Sequence, residues 1–210
     1  MQLPTIKEEQ KLFNLGYEIV AGVDEVGRGC IAGPVVAGVV AIKNKKEFLE
    51  SFEDLKNCRD SKTLSVLARE KISGQIKEAT YLSSAVGIVS EKVIDAEGIL
   101  VATKLAMKKA VENLAREPEF ILLDGNFTIE DLSIAQKAII RGDSKVFLIS
   151  AASIIAKVAR DELMVKYNEK YAGYDFNVHK GYGTKNHYKA ILERGASPIH
   201  RLSFNLHLRK

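Results

Sequence analysis

The chain has 210 residues, 46% hydrophobic and 28% charged, with a formal net charge of +4. That length supports one well-packed core, and no run of about 18 apolar residues exists to form a transmembrane helix. The first residues, MQLPTIKEEQ, lack the cationic and apolar regions of a signal peptide, and Cys30 and Cys58 form no Cys-x-x-Cys pair, so free thiols in a cytoplasmic protein are expected.

In chain order, Thr5-Ile6-Lys7-Glu8 fits a capping box ahead of a short helix, with Gly16 placed to end it. Ile19, Val20, Ala21 and Val23 make a β-branched run, read as a buried strand from about Glu18 to Asp24. It ends in two adjacent carboxylates, Asp24 and Glu25, followed by Gly27-Arg28-Gly29 and then Gly33-Pro34. Pro34 to Ile42 is apolar throughout and predicts a second strand buried on both faces. The connection of about ten residues is too short for a helical crossover, so the pair is expected to be antiparallel.

Lys45 to Leu55 reads as a short surface helix, and Arg59 to Thr63 as a polar loop. Ser65 caps a predicted helix reaching Ala79, with Leu67, Ile72 and Ile76 on its apolar face. Tyr81 to Val89 is a third strand. A helical pattern from Glu91 to Leu114 is interrupted at Gly98. Glu119 to Gly125 is another apolar strand, ending in Asp124, and Lys137 to Asp143 repeats the scheme. A long helix is predicted from Val146 to Lys170. A glycine- and aromatic-rich loop spans Gly173 to Gly183. A helix from Thr184 to Arg194, stopped by Gly195, and an irregular basic tail complete the chain. Strands mixed with helices indicate an α/β layered domain.

Three apolar strands thus each end in acid: Asp24 with Glu25, Asp124, and Asp143. In α/β sheets ligands collect beyond strand carboxyl ends. If these strands are neighbours, three or four carboxylates converge, and like charges that close need compensation. A hard divalent cation such as Mg²⁺ supplies it; no His or Cys lies on these strand ends, which argues against zinc. Successive strand residues point to opposite faces, so Asp24 and Glu25 share a metal only if the strand stops between them. For any one of these acids a helix cap or a lysine pair is the favoured reading; the repetition favours metal. Asp161, four residues after Lys157 in the long helix, reads as a surface ion pair.

The glycines around Arg28 let backbone approach a ligand. They miss the dinucleotide fingerprint, because three residues rather than two separate Gly29 from Gly33, and no P-loop element is present. Charge is unevenly spread: from Phe176 onward there are seven Lys or Arg (Lys180, Lys185, Lys189, Arg194, Arg201, Arg209, Lys210) against Glu193, and all four histidines lie there. A basic end on a near-neutral body fits either a polyanion partner or a solvated tail. Within it, Tyr182 sits between two glycines and two lysines, either to stack on a sugar or base or to pack the loop.

Together these stretches resemble the type 2 ribonucleases H, specifically the bacterial ribonuclease HII family. The resemblance rests on AGVDEVGRGCIAGPVVAG, DSKTLS from Asp60, LLDG from Leu122, IIRGDSK from Ile139, SAASIIAKVARD from Ser150, HKGYGTKNH from His179 and PIHRLSF from Pro198. It departs at Gly98-Ile99-Leu100, where the family usually has an Ile-Asn-Ile-like helix start. The related ribonuclease HIII would carry Gly-Thr-Gly in place of Gly27-Arg28-Gly29.

The resemblance implies an RNase H-like mixed sheet flanked by helices, with a helical C-terminal part from about residue 171, as a single domain over residues 1–210. It implies endonucleolytic cleavage of RNA in RNA–DNA hybrids and at single ribonucleotides in duplex DNA, 5′ of the ribonucleotide, leaving 3′-hydroxyl and 5′-phosphate ends. By motif, Asp24, Glu25, Asp124 and Asp143 become the catalytic, metal-binding carboxylates for Mg²⁺ or Mn²⁺, which activate water for in-line attack. Gly27, Arg28, Gly29 and Tyr182 become the substrate-binding residues, reading the 2′-hydroxyl that separates RNA from DNA. The basic end would grip the duplex with salt-sensitive affinity. A monomer without membrane association is expected, acting in DNA replication and ribonucleotide excision repair. A non-catalytic hybrid-binding module is the competing reading, disfavoured because acids beside phosphates harm binding unless metal is used.

Overall fold

The computed structural model describes residues 3–55 and 64–207; Cys58, the Arg59–Thr63 loop, most of the DSKTLS stretch, Arg209 and Lys210 lie outside them. Five strands form one mixed sheet: β1 (Val20–Val26), β2 (Val35–Ile42), β3 (Leu82–Val89), β4 (Phe120–Asp124) and β5 (Ala135–Ile139), in the spatial order β3-β2-β1-β4-β5. The β1–β2 pair is antiparallel, as the short connection requires. β4 and β5 add in parallel on the other side of β1. The sheet's central strand therefore carries Asp24 and Glu25, beside the strand that carries Asp124.

Helices cover both faces. α6 (Phe147–Lys170) crosses one face, and α5 (Ile99–Glu112) the other. The sheet admits them closely only because it lacks side chains at the crossing points. A Cβ on Gly22 would fall 2.3 Å from the Leu148 carbonyl carbon, and one on Gly38 would fall 2.3 Å from the Ala152 oxygen. Gly87 does the same for α5, at 2.1 Å from the Ala106 oxygen. Each is strand glycine used for close backbone approach. Val20, Val40, Leu122 and the α6 residues Leu148, Ile149 and Ala152 form one core. Val23, Val39, Leu123 and the α5 residues Ala102, Ala106 and Met107 form the other.

Several helix signals act as read. Ser65 Oγ accepts from the Ala68 amide at the start of α3 (Val66–Glu78). Gly98, at φ +81°, separates α4 (Glu91–Glu97) from α5. Asn44 caps α2 (Lys45–Ser51), which runs into a 3-10 turn at Phe52–Leu55. Thr184 Oγ1 accepts from the His187 amide to open α8 (Lys185–Arg194), and a short α7 (Phe176–His179) breaks the preceding loop. Leu67, expected on the buried face of α3, is instead exposed.

The capping box at α1 (Lys7–Asn14) does not form, because its members are engaged elsewhere. The Thr5 amide donates to the Lys145 carbonyl and the Thr5 carbonyl accepts from Phe147. Glu8 pairs with Lys11 and Lys137. Glu9 then caps a distant helix: its Oε1 accepts from the Leu148 amide at 2.9 Å, in the first turn of α6. It is fully buried, and burial lifts its carboxyl to about 7. The segment leading into α6 is thus tied to the first helix from both sides. No helix among the described residues is long and apolar enough to cross a membrane.

Candidate active site

Parallel pairing of β1 with β4 runs from Val20↔Phe120 to Val23↔Leu123. The next residues on the two strands, Asp24 and Asp124, emerge side by side. Parity puts both on the α6 face, with Gly22 and Leu122 two residues earlier. Here the expected strand end is corrected: β1 does not stop at Asp24 but stays paired with β2 through Glu25↔Ala37 and Val26↔Val36. Glu25 nevertheless joins the site. Asp24 Oδ1 turns to accept from the Glu25 amide at 2.7 Å, and one carboxylate oxygen from each of Asp24, Glu25 and Asp124 lies within 4.8 Å of the others.

The cluster is strained electrostatically. Asp24 is buried, and burial, with Glu25 and Asp124 adding repulsion, holds its carboxyl well above the usual range. Ser153 on α6 partly offsets this with a hydrogen bond to Asp24. Burial also raises Glu25, against the pull of the Arg28 guanidinium, whose Nη1 donates to Glu25 Oε1 at 3.1 Å. Three carboxylates gathered this closely, one of them paired with Arg28, suit a hard divalent cation, and all three donors are oxygens.

Asp143 stands differently from its expected place. β5 ends at Ile139, and Arg141 takes a left-handed conformation at φ +55°. Asp143 therefore lies in a 3-10 turn, Gly142–Ser144, rather than on a strand end. It is buried but is not among the three whose oxygens lie within 4.8 Å. Its turn still touches the site: the Gly142 amide donates to Asp124 Oδ1 at 2.6 Å. Asp161 pairs with Lys157 at 2.7 Å, as the spacing predicts, although both side chains are largely covered; Asp161 also faces Arg69 at 3.9 Å.

Gly27 and Gly29 prove unequal. Gly27 has φ +94°, and a Cβ there would fall 2.3 Å from Arg160 Nε. Gly29 has nothing within 4 Å of such a Cβ, so open space adjoins the backbone beside Arg28. Two fully buried arginines lie under this loop. Arg160 donates to the carbonyls of Ala32, Pro34 and Lys180, joining the glycine loop to the Tyr182 loop. Arg201 donates to those of Gly27, Arg28 and Gly33. Arg201 is therefore no part of a solvated basic tail, and neither are His187 and His200, which are also buried. Sequence reading assigned these residues no such role. The usable signal was Arg160, a charge at helical spacing between buried Ala156 and Met164.

The histidines form a neutral relay behind Tyr182. The Ser197 amide donates to His200 Nδ1 at 2.8 Å, so the His200 proton sits on Nε2. That atom faces His187 Nε2 at 3.0 Å, which must accept, leaving His187 Nδ1–H to donate to the Tyr182 carbonyl at 2.9 Å. These tautomers satisfy the Ser197 amide, the ring-to-ring contact and the Tyr182 carbonyl, while the Ser197 carbonyl, 3.3 Å from His200 Nδ1, receives no proton from that nitrogen. His179 stacks on His187 with ring centroids 4.0 Å apart. Burial, together with His179 and His200, depresses His187 to about 4, against about 6.5 unfolded. The folded state binds fewer protons between those values, so this group's stabilisation is full above about pH 6.5 and is lost as pH falls toward about 4. The Tm gap between wild type and His187→Gln should therefore shrink from pH 7 to pH 4.5; a gap that stays constant would refute the neutral relay.

Tyr182 itself is 44% exposed, with its phenol against the Cys30 thiol. Cys30 is a buried free thiol.

Comparison with known proteins agrees with this architecture. The ribonuclease HII family model matches residues 21–207. Ribonuclease HII of Endomicrobium trichonymphae is 45% identical over 197 residues, covering 94% of this chain and 90% of that protein. Among solved structures, the ribonuclease H2 of Pyrococcus horikoshii OT3 superposes with a TM-score of 0.74 at 28% identity, covering 90% of this chain and 94% of that one. The RNase HII of Archaeoglobus fulgidus, solved in a complex with PCNA, gives a TM-score of 0.72 at 25% identity, with 91% and 96% covered. The sheet order, the acid cluster at the ends of β1 and β4, and these matches place the chain in the ribonuclease HII family, divalent-metal-dependent endonucleases that hydrolyse the RNA of RNA–DNA hybrids.

Proposed function

We propose that this chain cleaves at single ribonucleotides embedded in duplex DNA as well as in longer RNA–DNA hybrids. The cut falls 5′ of the ribonucleotide and leaves 3′-hydroxyl and 5′-phosphate ends. The observation that carries the reading is the Asp24–Glu25–Asp124 cluster directly followed by a glycine loop with open space at Gly29. Phosphodiester chemistry and sugar recognition then lie within a few residues of each other.

Asp24, Glu25 and Asp124 would hold Mg²⁺ or Mn²⁺, with Asp143 as a fourth carboxylate delivered by the turn that already contacts Asp124. When bound, the cation lowers the pKa of a water for in-line attack and stabilises the leaving 3′ oxygen. The protein's own groups do the remainder. Ser153 and the Glu25 amide orient Asp24, and the Gly142 amide orients Asp124. Gly27, Arg28 and Gly29 bring backbone amides and a guanidinium to the ribonucleotide. Tyr182, on a loop fixed by His187 and Arg160, packs against the sugar. Lys185, Lys189 and Arg194, exposed on α8, meet the duplex backbone and make affinity fall with salt. The chain works as one domain and a monomer, in ribonucleotide removal during DNA replication and repair.

The test is a duplex carrying one ribonucleotide, incubated with Mg²⁺ or Mn²⁺ beside a long hybrid. Wild type should cut both, 5′ of the ribonucleotide in the first; a protein that cuts only the long hybrid would sink the proposal. Tyr182→Ala should lose about tenfold or more at the single ribonucleotide, since one stacking contact is worth about 1–3 kcal/mol. Undiminished cleavage by that variant would remove Tyr182 from the recognition set.

A further inference from the structure

Arg201 is fully buried, yet its three guanidinium nitrogens all turn to one loop. Nε donates to the Gly33 carbonyl at 3.0 Å, Nη1 to Arg28 at 2.9 Å and Nη2 to Gly27 at 2.7 Å. The acceptors are carbonyl dipoles; the acids Asp95 and Glu91 act on it only through space. Burying a guanidinium is costly, and an apolar side chain is often no worse for stability. Its placement therefore calls for a purpose at the loop.

The peptide geometry supplies one. No cis peptide is present among the described residues, and across a trans peptide the C=O and the following N–H point in opposite directions. The Gly27 and Arg28 carbonyls point at Arg201, so the amides of Arg28 and Gly29 point away from it, on a loop where a Cβ on Gly29 meets nothing within 4 Å. Successive outward amides make a concavity that binds anionic or hydroxyl oxygens, here with a buried positive charge beneath it.

We propose that Arg201 is a positioning residue for ribonucleotide recognition, holding two carbonyls inward so that the Arg28 and Gly29 amides stand as a preset donor pair for the sugar hydroxyl and adjoining phosphate. This rests on the proposed cleavage at embedded ribonucleotides. Lysine keeps the charge but lacks the planar fork that reaches three carbonyls at once. Arg201→Lys should therefore raise KM for a single-ribonucleotide duplex about tenfold or more. It should also lower the ratio of affinities for the ribonucleotide duplex over an all-deoxy duplex, while calorimetric Mn²⁺ affinity stays within about twofold of wild type. A variant that keeps the wild-type affinity ratio overturns the proposal.

If Arg201→Lys fails to fold, amide hydrogen exchange on wild type decides. The Arg28 and Gly29 amides should be protected by the ribonucleotide duplex and not by the all-deoxy duplex; equal exchange in both overturns it. Wild-type cleavage of the same duplex, run alongside, separates the two failures. No cut by wild type defeats the functional reading, whereas a normal cut with an unchanged ratio defeats only the role of Arg201.

Discussion

Asp24→Asn is expected to lose metal-dependent cleavage by about a thousandfold or more while gaining stability in the absence of metal. The loss follows from removing a ligand to a cation worth several kcal/mol to the transition state, at 1.36 kcal/mol per tenfold. The gain follows from what holds the Asp24 carboxyl high: burial of the charge first, then repulsion from Glu25 and Asp124. Asparagine removes the charge and keeps an oxygen for the Glu25 amide. Relief of about 1 kcal/mol would raise Tm by about 2–4 °C in a chain of this size. Asp124→Asn should show the same loss of activity. A variant that loses activity and also loses several degrees of Tm would mean that Asp24 is held by the fold rather than poised for metal.

The second large effect separates two glycines that look alike in the sequence. Gly27→Ala should cost about 2–5 kcal/mol: about 1–2 for a left-handed alanine and about 1–3 for a methyl forced against a buried side chain. Here that side chain is Arg160, 2.3 Å away. Displacing Arg160 also releases the carbonyls of Ala32, Pro34 and Lys180, so cleavage should fall with stability. Gly29→Ala should leave Tm within about 1 °C, in keeping with the small effect of surface substitutions. Its methyl would nevertheless stand in the open space where the sugar is to lie, weakening affinity for the ribonucleotide duplex. Equal Tm losses in the two variants would contradict this division.

Much of the sheet could be read from residues. The unbroken apolar run of β2 and the short link before it dictated an antiparallel partner for β1. The strand-then-acid pattern located Asp24, Glu25 and Asp124. The pattern failed at Asp143, where the apolar residues Ala138 to Ile140 look like one strand with the acid at its end. Arg141 in a left-handed conformation turns the chain there, and Gln136 ties β5 back to Ile129 and Leu132, contacts that no local pattern encodes. The expected strand break after Asp24 failed for a related reason. Pairing to β4 does end at Val23, but pairing to β2 continues, and one strand can end on one edge only.

The supports beneath the recognition loops were invisible for a different reason. Arg201, His187 and His200 sit in the chain's most basic stretch, where charge reads as solvent exposure. Arg201 is buried on carbonyls from the other end of the chain, those of Gly27, Arg28 and Gly33, and the two histidines are buried on each other and on Tyr182 and Ser197. Basic residues that do face solvent, such as Lys185 and Lys189, share the same local composition.

The central claim, that Asp24, Glu25 and Asp124 form a divalent-cation site, is tested most directly by thermal unfolding with and without Mn²⁺ or Mg²⁺. A cation present at about 100 times its dissociation constant stabilises by about 2.7 kcal/mol, or about 5–11 °C here. Wild type should show that rise, and Asp24→Asn and Asp124→Asn should lose most of it. An unchanged wild-type Tm at millimolar metal, or an equal rise in all three proteins, would contradict it.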